Sequence, residues 1–308
     1  MRKLKVLFIG QNGLLTTQPL KKVARRHRII GLVESLPFET RKKNDPFATY
    51  RADRARKLYP DITGRKETLK VLAGKYGVPL FTLKNKDQSD LIRYLRELEP
   101  DVICVASMTG LLRKEAFSIP PLGSINMHPS LLPFYRGPNP WFWQYHEMEK
   151  EGGVTVHMID EKEDNGDIIG QASYPIYPGM DFSTMFLTAL PLGTDLMVRA
   201  LDGLAVNRIE RRSQRGASCP VRARNISPDE KLIDFTKWSV ERTWHVMQGT
   251  PLWIDPIPFP ADWRNGSFWR VTGCSNEPTK GIPGTISQDG EGYYAIHSKG
   301  RIRLSLEH

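Results

Sequence analysis

Residues 3–10, "KLKVLFIG", decide the fold. Val6, Leu7, Phe8 and Ile9 follow one another with no polar alternation and stop at Gly10, the pattern of a strand buried on both faces of a parallel sheet. Lys3 and Lys5 give the run a basic flank. It is nevertheless too short for a secretory leader and has no small-residue cleavage site, so a first strand is the better reading. Downstream, "TTQPLKKVARRH" (16–27) reads as a helix and "RIIGLV" (28–33) as a second strand, which completes one βαβ unit.

The alternation continues with a helix in "KETLKVLAGKYG" (66–77), a strand "PLFTL" (79–83), a helix "SDLIRYLRELEP" (89–100) and a strand "DVICVA" (101–106). Strands are predicted at "GSINM" (123–127), "GVTVHMI" (153–159) and "DIIGQASYPI" (167–176). A long helix is expected over 181–204, kinked at Pro191. The fold expected for residues 1–207 is therefore α/β, a doubly wound, Rossmann-like, mostly parallel sheet. Residues 208–228 read as a basic linker. Over 229–308 the spacing predicts a helix in "LIDFTKWSVERTWHVMQG" (232–249), then short strands broken by Gly and Pro, hence a small OB-like β-barrel.

At 308 residues the chain is long enough to bury a sizeable core. No run approaches a bilayer span, so the expectation is a soluble, cytoplasmic protein with no membrane partner. Cys104, Cys219 and Cys274 show neither disulfide nor zinc spacing, and no metal is predicted. The net charge of +10 favours an anionic partner. Its basic clusters, Glu39–Lys66 and Arg208–Arg224, read either as solvated surface or as phosphate contacts.

Asn126 and His128 in "GSINMHPS" lie two apart and share one face of a strand. In open α/β sheets ligands bind beyond the carboxyl ends of the strands, where this pair and the Gly10–Gly13 turn would gather. Asp164, in the acidic loop Asp160–Asp164 ahead of Gly166, would reach the same crevice. An amide donor, an imidazole and a carboxylate make an acyl-transfer site with no covalent nucleophile. The simpler readings stand beside this one: a structural strand-end histidine, an exposed acidic turn, and His157 as a mid-strand residue orienting its neighbours.

"INMHPSLLPFYRG" (125–137) followed by "GGVTVHMIDEKEDNGDIIGQ" (152–171) resembles the paired signature of the formyltransferases that use 10-formyltetrahydrofolate. The resemblance covers roughly residues 3–203. More loosely, the tail from Asn225 resembles the C-terminal barrel of methionyl-tRNA formyltransferases. It implies a catalytic set of Asn126, His128 and Asp164. Asn126 and a protonated His128 would stabilise the oxyanion, and Asp164 would hold that charge and relay a proton. It also implies that Ser107–Leu112, with Met108, Gly110 and Leu112, and the Asp160, Glu161 and Glu163 loop cradle the folate.

Within this resemblance the acceptor is a nucleotide-linked amino sugar or methionyl-tRNA; glycinamide ribonucleotide goes with a shorter chain lacking the barrel. The turns "GQNGLL" and "YRGPNPWFW" depart from the tRNA enzymes and resemble sugar N-formyltransferases. Gln11, Asn12, Gly13, Tyr135, Arg136 and Trp141 are then the expected acceptor contacts, with core packing the other reading of the tryptophans. The basic clusters favour tRNA. A third reading is a non-catalytic folate- or RNA-binding module. The aromatic tail around Trp253, Trp263, Phe268 and Trp269 reads as a homodimer contact or as a cover for the acceptor pocket.

Overall fold

Strand β1 (Lys5–Gly10) lies at the centre of a seven-stranded sheet, paired in parallel with β2 (Arg28–Ser35) on one side and β4 (Val102–Ala106) on the other. Val6 through Ile9 are fully buried, which is why the run shows no polar alternation. The computed structural model describes residues 2–36, 53–63, 67–84, 87–227 and 230–308. Most of the basic cluster Glu39–Lys66 and the end of the predicted linker at Pro228 lie outside the described residues.

The sheet runs β3-β2-β1-β4-β5-β6-β7, with β3 Leu80–Leu83, β5 Ser124–His128, β6 Glu151–Met158 and β7 Ile168–Pro175. Strands β1 to β5 are parallel, whereas β6 is antiparallel to both β5 and β7. Winding reverses between β1 and β4, which opens a crevice at their carboxyl ends. Helices α1 (Leu14–Ala24), α2 (Leu69–Tyr76) and the 24-residue Phe182–Ala205 helix cover one face. Helix α3 (Ser89–Leu98) and the short α4 (Lys114–Phe117) cover the other.

Local chemistry sets the boundaries. The Thr68 hydroxyl accepts from Val71 N–H at the start of α2, and Gly77 ends it with φ +63°. After α5 (Pro140–His146), Asp181 caps the long helix α6 (Phe182–Ala205) by accepting from Thr184 N–H at 2.9 Å. The helix runs through Pro191 as one element.

Residues 208–227 run along the α/β layer as a largely exposed strip, buried at Gln214 and Ala223. Ile168 and Arg212 exchange both backbone hydrogen bonds at 2.8 Å, and Ala223 N–H donates to Arg136 O, also at 2.8 Å. Beyond it the predicted helix is shorter than expected, Val240–Gly249 (α7) instead of 232–249. Asp234 accepts from the N–H groups of Thr236 and Lys237 and turns the chain, and Ser239 then starts the helix by accepting from Arg242 N–H. Asp and Ser compete with the helical ladder for such donors. A separate antiparallel sheet follows in the order β8-β11-β10-β9: Phe268–Ser275, Gly300–Glu307, Gly292–His297 and Ile286–Asp289. It closes with α7 over Phe235, Val240, Met247, Trp269 and Ile302 as a small barrel-like unit. Among the described residues no helix is long and apolar enough to cross a membrane.

Candidate active site

Asn126 and His128 leave β5 on one side, and both meet Asp164. Asp164 Oδ1 lies 3.4 Å from Asn126 Nδ2 and 3.6 Å from His157 Nε2; Oδ2 lies 3.5 Å from His128 Nδ1 and accepts from Gly137 N–H at 2.9 Å. The loop that delivers it is tightly specified. Asp160 accepts from Lys162 N–H, Asp164 itself has φ +49°, and a Cβ on Gly166 would stand 2.0 Å from Met158 O. Burial opposes ionisation of this carboxyl. The pull of His128 and the Gly137 N–H outweighs it and holds the group well below the usual carboxylate range.

His128 has acceptors at both ring nitrogens: Tyr135 O at 2.9 Å from Nε2, and the Asp164 carboxylate beside Nδ1. A doubly protonated ring satisfies both. His157 Nδ1 faces Met158 O at 2.7 Å, which leaves Nε2 to accept from the Asn126 amide at 3.2 Å. The turn leaving β5 is braced from β6 and β7. Thr155 Oγ1 donates to Ser130 O, and Gln171 Nε2 donates to Leu132 O and to Thr155 Oγ1.

These groups open into a cleft of about 400 Å³ at the carboxyl end of the sheet. Met108, Gly110, Leu112, Asp160 and Glu163 line it with Asn126, His128 and Asp164. Glu161 does not. Its exposed carboxylate is paired outward with Lys114. Of the expected acceptor contacts, Gln11 and Trp141 line the cleft. Gln11 spends its backbone N–H on Thr16 Oγ1 and its side chain on Thr109 and Ser107. Asn12 instead ties Glu34 to Leu69 N–H, and Gly13 carries the carbonyl that starts α1.

Tyr135 is buried with its hydroxyl on Glu149, and Arg136 donates to Gln214; neither side chain lines the cleft. Trp141 packs against Phe182 and Phe186 while facing the cleft, so packing and lining coexist in one residue. Beside the cleft, Thr109, Gly110, Glu163, Arg222, Arg224 and Asn225 border a recess of about 510 Å³. Sequence reasoning passed over Gln214, read His157 only as orienting its neighbours, and offered Trp253 as a cover for the acceptor pocket or a dimer contact; Trp253 lines the cleft and donates to Asn139 Oδ1 at 3.0 Å. His157 stands opposite Asn126 in the β5–β6 register. Alternation places side chains on faces, but only that register identifies the neighbour.

A part-buried amide, two buried imidazoles and an ionised carboxylate, gathered at the switch point of a doubly wound sheet, define a site for transfer of a carbonyl carbon without a covalent nucleophile. The family model for formyl transferase matches residues 40–201, more than half of the chain, and the chain belongs to that family. It is a formyltransferase. Among its relatives, the methionyl-tRNA formyltransferase of Roseiflexus sp. (strain RS-1) is 30% identical over 310 residues, covering 98% of this chain and 86% of that protein. The fold is shared with the N-formyltransferase of Helicobacter canadensis, solved in complex with folinic acid and dTDP-3-aminofucose. That likeness has a TM-score of 0.65 at 19% identity and covers 99% of this chain and 100% of that one. HypX from Aquifex aeolicus gives a TM-score of 0.64 at 12% identity, over 98% of this chain and 44% of its own.

Proposed function

We propose that the chain moves the formyl group of 10-formyltetrahydrofolate to the primary amine of a nucleotide-linked amino sugar, with Asn126, His128 and Asp164 as the catalytic residues. The observation that carries the choice of acceptor is the recess beside the cleft. It is bordered by Arg222 and Arg224, and it shares Met108, Gly110 and Glu163 with the cleft that Asp164 lines. An anionic diphosphate would compete there with Glu163 for Arg222 and with Glu230 for Arg224. Arg222 and Arg224 of this strip are paired within the chain, as are Arg301 and Arg303 on Asp289, so a ligand phosphate would have to displace a carboxylate at each of them. The Helicobacter canadensis N-formyltransferase, solved with folinic acid and dTDP-3-aminofucose, supports the same pair of ligands.

The donor would lie along Met108–Leu112 and the Asp160–Asp164 loop. As the amine attacks the formyl carbon, negative charge develops on the formyl oxygen. The Asn126 amide hydrogen now spent on a long 3.4 Å contact with Asp164 is the one free to turn to it, since the other is held by His157. His128, charged against Asp164, adds a second positive pole. The attacking nitrogen sheds one proton and the folate nitrogen gains one as it leaves. Asp164 and His128 therefore relay a proton with no net change in the protein.

A second reading, transfer to methionyl-tRNA, is favoured by the 30% identity that extends over 98% of the chain. A paired turnover assay separates the two, offering 10-formyltetrahydrofolate with dTDP-linked 3-amino and 4-amino sugars in one arm and charged initiator methionyl-tRNA in the other. Formylation of a sugar alone supports the proposal; formylation of the tRNA alone replaces it. Inactivity in both arms sinks both acceptor readings.

A further inference from the structure

The arginine-rich strip reaches the catalytic groups through one buried amide. Its course is pinned on both sides: Arg212 bridges to Ile168 at the start of β7, while Val221 O and Ala223 O accept from the N–H groups of Tyr135 and Asn139. Between these anchors Gln214 is 2% exposed. Its Oε1 accepts from Arg136 Nη2 at 2.8 Å and from Nε at 3.3 Å. Its Nε2 donates to Gly166 O at 2.7 Å and to Asp164 O at 3.3 Å. A primary amide has two donor hydrogens and two acceptor lone pairs, and all four are in use.

We propose that Gln214 is a positioning residue for formyl transfer, fixing the backbone of Asp164 against the Tyr135–Gly137 loop so that the carboxylate stays in register with His128. Two features call for such a clamp. Asp164 holds a left-handed backbone that a non-glycine residue keeps only when its surroundings impose it. The partners of its carboxylate also come from separate elements: Gly137 N–H from the loop, and His128 and Asn126 from β5. Gln214 ties the carbonyl of Asp164 to Arg136, the residue next to Gly137, and so locks both sides of that contact. Neither Gln214 nor Arg136 lines the cleft, so the pair acts through Asp164 and not on a ligand. The inference rests on formyl transfer at this site, whichever amine accepts.

The test uses the full chain with Gln214→Leu and Gln214→Glu. Turnover is followed with 10-formyltetrahydrofolate in the arm where wild type is active, and folinic acid affinity by tryptophan fluorescence. A small displacement of a catalytic group lowers rate far more than binding, so kcat falls ~10- to 100-fold while KM for the donor and Kd for folinic acid stay within about twofold. Gln214→Glu is as slow as Gln214→Leu, because a carboxylate keeps Arg136 but has no hydrogen for the two carbonyl oxygens. It also carries the test should the leucine variant fail to fold. A folded variant with wild-type kcat, a parallel loss of folinic acid affinity, or recovery of the rate in Gln214→Glu would each overturn the inference. A wild type inactive in both arms overturns the transfer reading and this inference together, whereas an active wild type beside an equally active Gln214→Leu overturns the inference alone.

Discussion

Gly137→Ala places a methyl group where the strip passes the catalytic loop. Its Cβ would stand 2.7 Å from Ala223 O and 3.0 Å from the Ala223 carbonyl carbon. These are backbone atoms, held by Ala223 N–H on Arg136 O and by Asn139 N–H on Ala223 O, so they cannot swing aside as a side chain would. At φ +122° the new side chain also strains its own backbone, at a cost of ~1–3 kcal/mol. If the loop moves to relieve the clash, Gly137 N–H leaves the Asp164 carboxylate, and a hydrogen bond to a charged group is worth ~1.5–3 kcal/mol. The two effects together predict a loss of about 2.5–6 kcal/mol, a large part of the ~5–15 kcal/mol that holds a typical protein together. Urea unfolding followed by tryptophan fluorescence reads the stability, and steady-state turnover reads the site. Turnover is expected to fall at least ~10-fold as Asp164 loses its place beside His128. A variant with turnover within about twofold of wild type and a stability loss below ~1 kcal/mol would refute the reasoning, because Asp164 would then not depend on this contact.

Asp164→Asn removes the charge that faces His128, and turnover is expected to fall ~10²- to 10⁴-fold in the same assay, with near-normal rates counting against the mechanism. Because the Asp164 pKa is depressed in the fold, its contribution to stability is present above the unfolded value of ~3.9 and is lost as pH falls through the lower folded value; the stability gap between wild type and Asp164→Asn should shrink only in that acid window. Burial lowers the pKa of His245 to about 4, so the fold holds it neutral. Stability is then complete above the unfolded value near 6.5 and declines by about 3 kcal/mol between there and pH 4, a decline that His245→Gln should flatten in urea titrations across that range. Cys104 is buried in β4 and its thiol is pushed up by that burial, so a maleimide followed by mass spectrometry should label Cys219 first and leave Cys104 unmodified until the protein unfolds.

Much of this architecture is legible along the chain because the signals are local. The unbroken apolar run Val6–Ile9 marks a strand covered on both faces, and the structure buries it that way. Asn126 and His128 share a strand face by period alone, and Asp164 follows from the glycine-marked turn together with the family signature. The helix over 232–249 is overlong because Asp234 and Ser239 capture backbone N–H groups ahead of it and delay its start to Val240. In "YRGPNPWFW" the residue types suit a binding loop, yet Tyr135 and Arg136 spend their side chains on Glu149 and Gln214.

What the amino-acid order determined by itself is the α/β class, the strand that carries Asn126 and His128, and the chemistry those side chains permit. Each rests on contacts between near neighbours, where period and propensity act directly. Tertiary structure alone decided that His157 faces Asn126, that Trp253 enters the cleft from the tail, and that Gln214 reaches back 78 residues to Arg136 and 50 to Asp164 to hold both. These partners meet through the register of β5 on β6 and the path of the strip across the sheet. Such long-range pairing is set by how whole elements pack, and no local pattern encodes it.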